Sequence, residues 1–216
     1  MFSKLSTTAK TLGLSMLIST VVNSTLMAKE LTILVDASRS NPLLIDPAFN
    51  KRAAQYSFNM IEQLDKGDSI KVQTFGSLQN ADNFAVNTVK LSRHNRKKIA
   101  KAVAKHLMTL PERIKPQGST NLLAWFNRNP IDCRKDSNTI MIITDAIEAS
   151  EYVNPNKLLN GTQSLPEPSE FVNIRGCNVV MFGIGAGRSD KETIHLRKIW
   201  GRYFEQTGAN FIAVPL

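Results

Sequence analysis

Leu31-Thr32-Ile33-Leu34-Val35-Asp36 runs without a break into Ala37-Ser38-Arg39-Ser40. The first six residues form an apolar, β-type run that ends in an acid, the pattern of a strand buried on both faces. The next four place two hydroxyls at alternate positions directly after the acid. A second run of the same kind, Thr139–Asp145 (TIMIITD), also ends in an acid, here in Thr144-Asp145. In open α/β sheets, ligands sit beyond the carboxyl ends of the central strands. Two apolar strands that each end in Asp therefore mark where chemistry is to be sought.

The flanking sequence supports such a sheet. Ala53–Leu64 has a helical pattern and stops at the Lys66-Gly67-Asp68 turn, and Ser69–Phe75 is a second strand. Asn83–Leu91 is a more polar run, as expected of an edge strand. Arg93–Leu110 is an amphipathic helix with Ile99, Val103, Leu107 and Leu110 on one face, ended by Pro111. A short helix follows Asn121. Ala149–Glu170, rich in Pro and Gly, reads as a loop. Asn178–Ile184 is a strand, Asp190–Gln206 a helix and Asn210–Pro215 a final strand. Alternating strands and helices predict an α/β fold. It is a doubly wound, mostly parallel central sheet flanked by helices, with one antiparallel edge strand.

The chain of 216 residues has room for one sizeable domain, and its 42% apolar residues suit a real core. Its 27 Lys and Arg against 18 Asp and Glu give a formal charge of +9. That excess fits an acidic partner or an anionic surface, and is also common in ordinary soluble proteins. Residues 1–28 read as a signal peptide: Lys4 and Lys10, then the apolar stretch Thr11–Val22, then the small-residue tail Asn23–Ala28. The expected domain is then 29–216, exported to the periplasm or secreted. The alternative is an uncleaved segment that anchors the chain to a membrane.

Asp36, Ser38 and Ser40 (D-x-S-x-S), Thr120 within Gly118-Ser119-Thr120-Asn121, and Asp145 occur in that order along the chain. Taken singly, each segment is an ordinary capping or turn motif. Together they resemble the von Willebrand factor A family and its metal-ion-dependent adhesion site. Leu64–Gly76 and Phe182–Gly185 extend the likeness over nearly all of residues 29–216. Two departures stand out: Ala146 follows the final Asp where the family often has Gly, and the Thr loop reads Gly-Ser-Thr.

The resemblance implies a metal site of Asp36, Ser38, Ser40, Thr120 and Asp145. Oxygen donors of this kind suit Mg²⁺, with Mn²⁺ or Ca²⁺ as alternatives. The implied function is non-enzymatic: a partner protein supplies an Asp or Glu carboxylate to the ion. The family places the strands after Cys133 and Cys177 side by side, so the two cysteines are expected to meet at the end of the sheet opposite the metal. A disulfide there suits an exported protein, two free buried thiols being the alternative. The loop 146–170 is expected to border the metal face and to select the partner while contributing little to folding.

Two other functions fit parts of the sequence. A metal-assisted hydrolase would use the same carboxylates, but no His, Lys or Cys lies on the metal loops to serve as base, which leaves Asp145 or Glu148 for that role. A binder of nucleic acid or anionic surfaces would use the basic helix over 93–105. That helix interleaves no aromatic residues to stack bases, and a solvated charged face explains it as well. Gly183-Ile-Gly-Ala-Gly187 lacks the third glycine of a dinucleotide fingerprint and reads as a turn.

Overall fold

The computed structural model describes residues 28–79, 83–129, 131, 133, 138–168 and 173–215. The expected signal peptide therefore lies outside the described residues, except for Ala28. The elements follow in the order β1 (Glu30–Asp36), α1 (Pro42–Ile45), α2 (Pro47–Glu62), β2 (Ser69–Phe75), β3 (Val89–Lys90), α3 (Arg96–Arg113), α4 (Leu122–Arg128), β4 (Thr139–Ile143), α5 (Pro155–Leu159), β5 (Asn178–Phe182), α6 (Asp190–Gln206) and β6 (Asn210–Val214). The strands form one sheet in the order β3-β2-β1-β4-β5-β6. All neighbours are parallel except the β2–β3 pair.

The central strands are apolar throughout because each of their faces has its own core. In β4, Ile140 and Ile142 pack on one side with Leu122, Phe126, Trp200 and Phe204, which come from α4 and α6. Met141 and Ile143 pack on the other side with Phe49, Ala53, Ile61 and Leu107, from α2 and α3. β1 and β5 alternate in the same way: Leu34, Val179 and Met181 face the first cluster, and Ile33, Val35, Val180 and Phe182 the second. A two-residue period with both phases apolar is the mark of a sheet covered on both sides.

Several boundaries differ from the sequence reading for local reasons. The helix after β1 starts at Pro47, because Asp46 caps it by accepting from Ala48 N–H at 2.8 Å and Phe49 N–H at 3.2 Å. Proline at the first helical position gives up only an N–H that would lack a partner anyway. Pro111 likewise does not end α3, which runs to Arg113. The polar run 83–91 pairs only in patches, at Ala85 with Gln73 and over Val89–Lys90. The basic helix α3 turns Lys97, Lys98, Lys101 and Lys105 to solvent and buries Leu107 and Leu110.

The loop 146–170 corrects an expectation. Ala146, Ile147, Val153 and Leu158 are all buried in the core cluster under α6, and residues 155–159 form α5. The carbonyl of Ala146 accepts the Trp200 indole N–H at 2.8 Å. This segment is structural as well as close to the site.

Cys133 and Cys177 form a disulfide with Cα atoms 5.0 Å apart. It lies at the amino ends of β4 and β5, the end of the sheet opposite Asp36 and Asp145. No helix among the described residues is long and apolar enough to cross a membrane.

Candidate metal-binding face

β1 connects to β2 on one side of the sheet, and β4 starts the run of strands on the other. The gap between β1 and β4 is thus the point where the winding reverses, and a crevice opens there above the carboxyl ends. The register pairs Val35 with Ile143, so the two strands end level. Asp36 closes β1, and Asp145 lies two residues beyond β4.

A residue that the sequence did not single out holds these ends together. Asn41 is fully buried. Its amide nitrogen donates to the carbonyls of Asp36 at 2.5 Å and Ile143 at 3.2 Å. Its Oδ1 accepts from Leu43 N–H at 3.2 Å and caps α1. One side chain therefore satisfies a backbone carbonyl at the end of each central strand.

The Thr120 loop is laced between the other two. The Arg39 N–H donates to the carbonyl of Gln117 at 3.0 Å, and the Gln117 N–H to that of Ala37 at 2.8 Å. Thr120 and Ala149 exchange both backbone hydrogen bonds at 3.0 Å. The Asn121 amide donates to the carbonyl of Gly76, and the Gln117 side chain accepts the Ser77 N–H. Glu148 completes the lacing: its Oε2 accepts the Leu122 N–H at 3.0 Å, at the start of α4. Residues 37–41, 117–121 and 145–149 thus form one surface, fixed by backbone bonds that do not depend on any ligand.

Within it, Ser38 and Ser40 place their hydroxyl oxygens 3.3 Å apart. The Ser40 hydroxyl also acts on the Asp145 carboxyl, lowering its pKa. Asp36 accepts from Ser38 N–H at 2.8 Å and from the Thr144 hydroxyl at 2.7 Å. Asp145 accepts from Ile147 N–H at 3.1 Å. Ala146, between them, holds φ at 67°, a left-handed conformation that adds roughly 1 kcal/mol or more for a residue with a Cβ. Glycine would take this backbone without that cost. Of the five expected ligands, Ser40 alone is exposed; Asp36, Ser38, Thr120 and Asp145 are buried.

Burial of so much acid has a consequence. Desolvation, and secondly the charge of Asp145, raise the Asp36 carboxyl to about 7, against the pull of its hydrogen bonds from Thr144 and Ser38. Desolvation also raises Asp145, opposed first by the Ser40 hydroxyl. Glu148, wholly buried, is pushed up to about 8 by desolvation. Three acids are crowded at one crevice, and the charge of Arg188 offsets the rise of only one of them, Asp145, behind the Ser40 hydroxyl and the Ile147 N–H. The donor set, hydroxyl and carboxylate oxygen alone, fits a hard divalent ion.

The sheet order, the switch point between β1 and β4, and three loops meeting above it match the architecture implied by the sequence resemblance. The fold is the doubly wound, mostly parallel α/β fold with one antiparallel edge strand that the resemblance implies. No protein-family model matches the chain, and neither does any curated protein. Among solved structures, the chain is similar to the pilus adhesin SpaC from Lactobacillus rhamnosus GG in its open conformation. There the identity is 12% and the TM-score 0.48, over 89% of this chain and 28% of that one. It is also similar to a von Willebrand factor type A protein from Catenulispora acidiphila, at 15% identity and a TM-score of 0.46, over 88% of this chain and 39% of that one. A third is the manganese-loaded TRAP protein of Plasmodium vivax, at 16% identity and a TM-score of 0.46, over 86% and 68%. The chain spans less than half the length of the first two. The likeness is one of fold.

Proposed function

We propose that this protein is an exported, non-enzymatic binding module that holds a divalent cation, Mg²⁺ for preference, at the crevice between β1 and β4. The hydroxyls of Ser38, Ser40 and Thr120 and the carboxylates of Asp36 and Asp145 would hold it. The bound ion would supply an electrophilic position for the carboxylate of an Asp or Glu on a partner protein. The observation that carries this reading is the pair of buried carboxylates, Asp36 and Asp145, raised by desolvation beside hydroxyls 3.3 Å apart. Hydroxyl and carboxylate oxygens gathered at one crevice make a donor set suited to a hard divalent cation. The Cys133–Cys177 disulfide supports export, since such bonds persist in oxidising compartments.

The test is a comparison of two short peptides, one bearing a single Glu and one bearing Gln in its place. The Glu peptide should bind in Mg²⁺, and its affinity should vanish in EDTA and in the Asp145→Ala variant. Equal binding of both peptides, unaffected by EDTA, would refute the proposal.

A further inference from the structure

Beside the candidate metal-binding face lies a groove of about 630 Å³ lined by Arg39, Ser77, Asn83, Phe84, Arg113 and Lys115, together with residues 116–119. It shares Arg39 and residues 117–119 with that face. Arg39 sits in the chain between Ser38 and Ser40, and Gly118-Ser119 leads into Thr120.

The groove is cationic. Arg39, Arg113 and Lys115 are all exposed. No carboxylate among the described residues lines it, and none pairs with these three. Glu112, the chain neighbour of Arg113, lines a different cleft with Leu43 and Met108. The other lining side chains, Ser77, Asn83, Gln117 and Ser119, add neutral hydrogen-bonding groups.

Arg113 is held in place for a planar anion. Its guanidinium lies 5.9 Å from the centre of the Phe84 ring, and its Nη1 donates to His106 Nδ1 at 2.8 Å. An arginine only donates, so Nδ1 accepts and the imidazole is neutral. Burial, and then Arg113 itself, lower the His106 pKa and keep it so. His106 is in turn stacked on Phe84 at 4.9 Å between centroids. A guanidinium fixed on one edge loses less freedom when its remaining N–H groups grip a carboxylate in a fork.

We propose that this groove reads acidic side chains next to the carboxylate that reaches the metal, so that the partner segment is an acidic stretch of protein carrying more than one Asp or Glu. The inference rests on the metal-binding reading for its first carboxylate and on the groove for the others. In an extended segment, side chains two residues apart point the same way about 7 Å apart, so acids at alternate positions present their carboxylates on one side. A nucleic acid offers phosphates to the cations. The groove presents a single partly buried ring, already covered by His106 and Arg113, and so gives bases no platform.

Two extended peptides decide the matter: one with three Glu at alternate positions, and one in which the outer two are Gln. Wild-type protein in saturating Mg²⁺ should bind the first about tenfold more tightly, an advantage that shrinks as salt is raised. Arg113→Ala with Lys115→Ala should abolish the preference while leaving Mn²⁺ affinity, read by calorimetry, unchanged. Arg113→Lys should recover only part of it, because the charge returns without the fork. Equal affinity for the two peptides in protein that still binds Mn²⁺ would overturn the groove and leave the metal reading intact. Absence of Mn²⁺ binding in wild type would instead overturn the metal reading, and the salt-sensitive preference would then judge the groove alone. Equal or tighter binding of a single-stranded oligonucleotide of matched charge would overturn the assignment to a protein partner.

Discussion

Replacing Asp36 by Asn removes a buried charge while keeping the side chain's shape. In metal-free protein at about pH 8, Asp36 is ionised in both folded and unfolded states. Raising its pKa from 3.8 to about 7 then destabilises the fold by about 4 kcal/mol, at 1.36 kcal/mol per pH unit. Asn retains an acceptor for the Ser38 N–H but leaves the Thr144 hydroxyl without its carboxylate, a loss of about 1 kcal/mol. The variant should therefore be more stable than wild type by about 3 kcal/mol in EDTA at about pH 8. The sign follows from proton binding. The folded state holds the Asp36 proton above the pH at which the unfolded chain releases it. Wild-type stability is therefore fully present below about pH 4, and is lost as pH rises towards about 7. The gap between the two proteins should accordingly close on acidification. Mg²⁺ at about a thousandfold excess over Kd should reverse their order, because wild type gains about 4.1 kcal/mol and the variant gains little. Urea unfolding at the two pH values, with EDTA and with Mg²⁺, reads all of this. A variant less stable than wild type by the same amount at both pH values, with or without Mg²⁺, would refute the reasoning.

Glu148→Gln should leave stability in EDTA at about pH 4 within roughly 1 kcal/mol, since the wild-type carboxyl is mostly protonated there in folded and unfolded chains alike. Between about pH 4.5 and 8 the wild type should lose stability that the variant keeps, which a pH series of urea melts will show. Asn41→Ala strands the carbonyls of Asp36 and Ile143 and uncaps α1, so it should cost roughly 2–4 kcal/mol by urea unfolding and weaken Mn²⁺ binding, although Asn41 is no ligand. Reduction of the Cys133–Cys177 disulfide opens a loop of 44 residues and should cost about 4 kcal/mol in the chain-entropy model, read as a fall in melting temperature with a reductant. Ile147→Ala should cost roughly 2–4 kcal/mol in thermal unfolding, a core value that a merely superficial loop would not show.

The sheet was legible because β1, β4 and β5 are buried on both faces and read as unbroken apolar runs. The acids that end two of them pointed to the crevice. Ser38, Ser40, Thr120 and Asp145 lie on loops that the structure brings into one surface. What escaped sequence reading depends on long-range bonds from side chain to backbone. Asn41 looks like a plain helix cap, and only the fold brings the Ile143 carbonyl, 102 residues away, within its reach. Glu148 looks like a loop acid until α4 sets the Leu122 N–H above it. The loop 146–170 misled because its Pro and Gly content signals turns, whereas Ile147, Val153 and Leu158 are spaced to meet α6 rather than to form a periodic element. Arg113 was hidden behind Pro111, which looked like the end of a helix that in fact carries one more half-turn to the groove.

Calorimetric titration of the metal-free wild-type protein with Mn²⁺, at a pH above 7 where Asp36 has lost its proton, tests the central claim most directly. The account predicts one ion per chain, a matching rise in melting temperature, and loss of both in Asp36→Ala. Titrating below that pH should weaken binding and release a proton as the ion enters, because the metal must displace it. No heat and no melting shift in wild type up to millimolar Mn²⁺ or Mg²⁺ would contradict the account, and the crevice between β1 and β4 would then be a buried acid cluster that serves the fold alone.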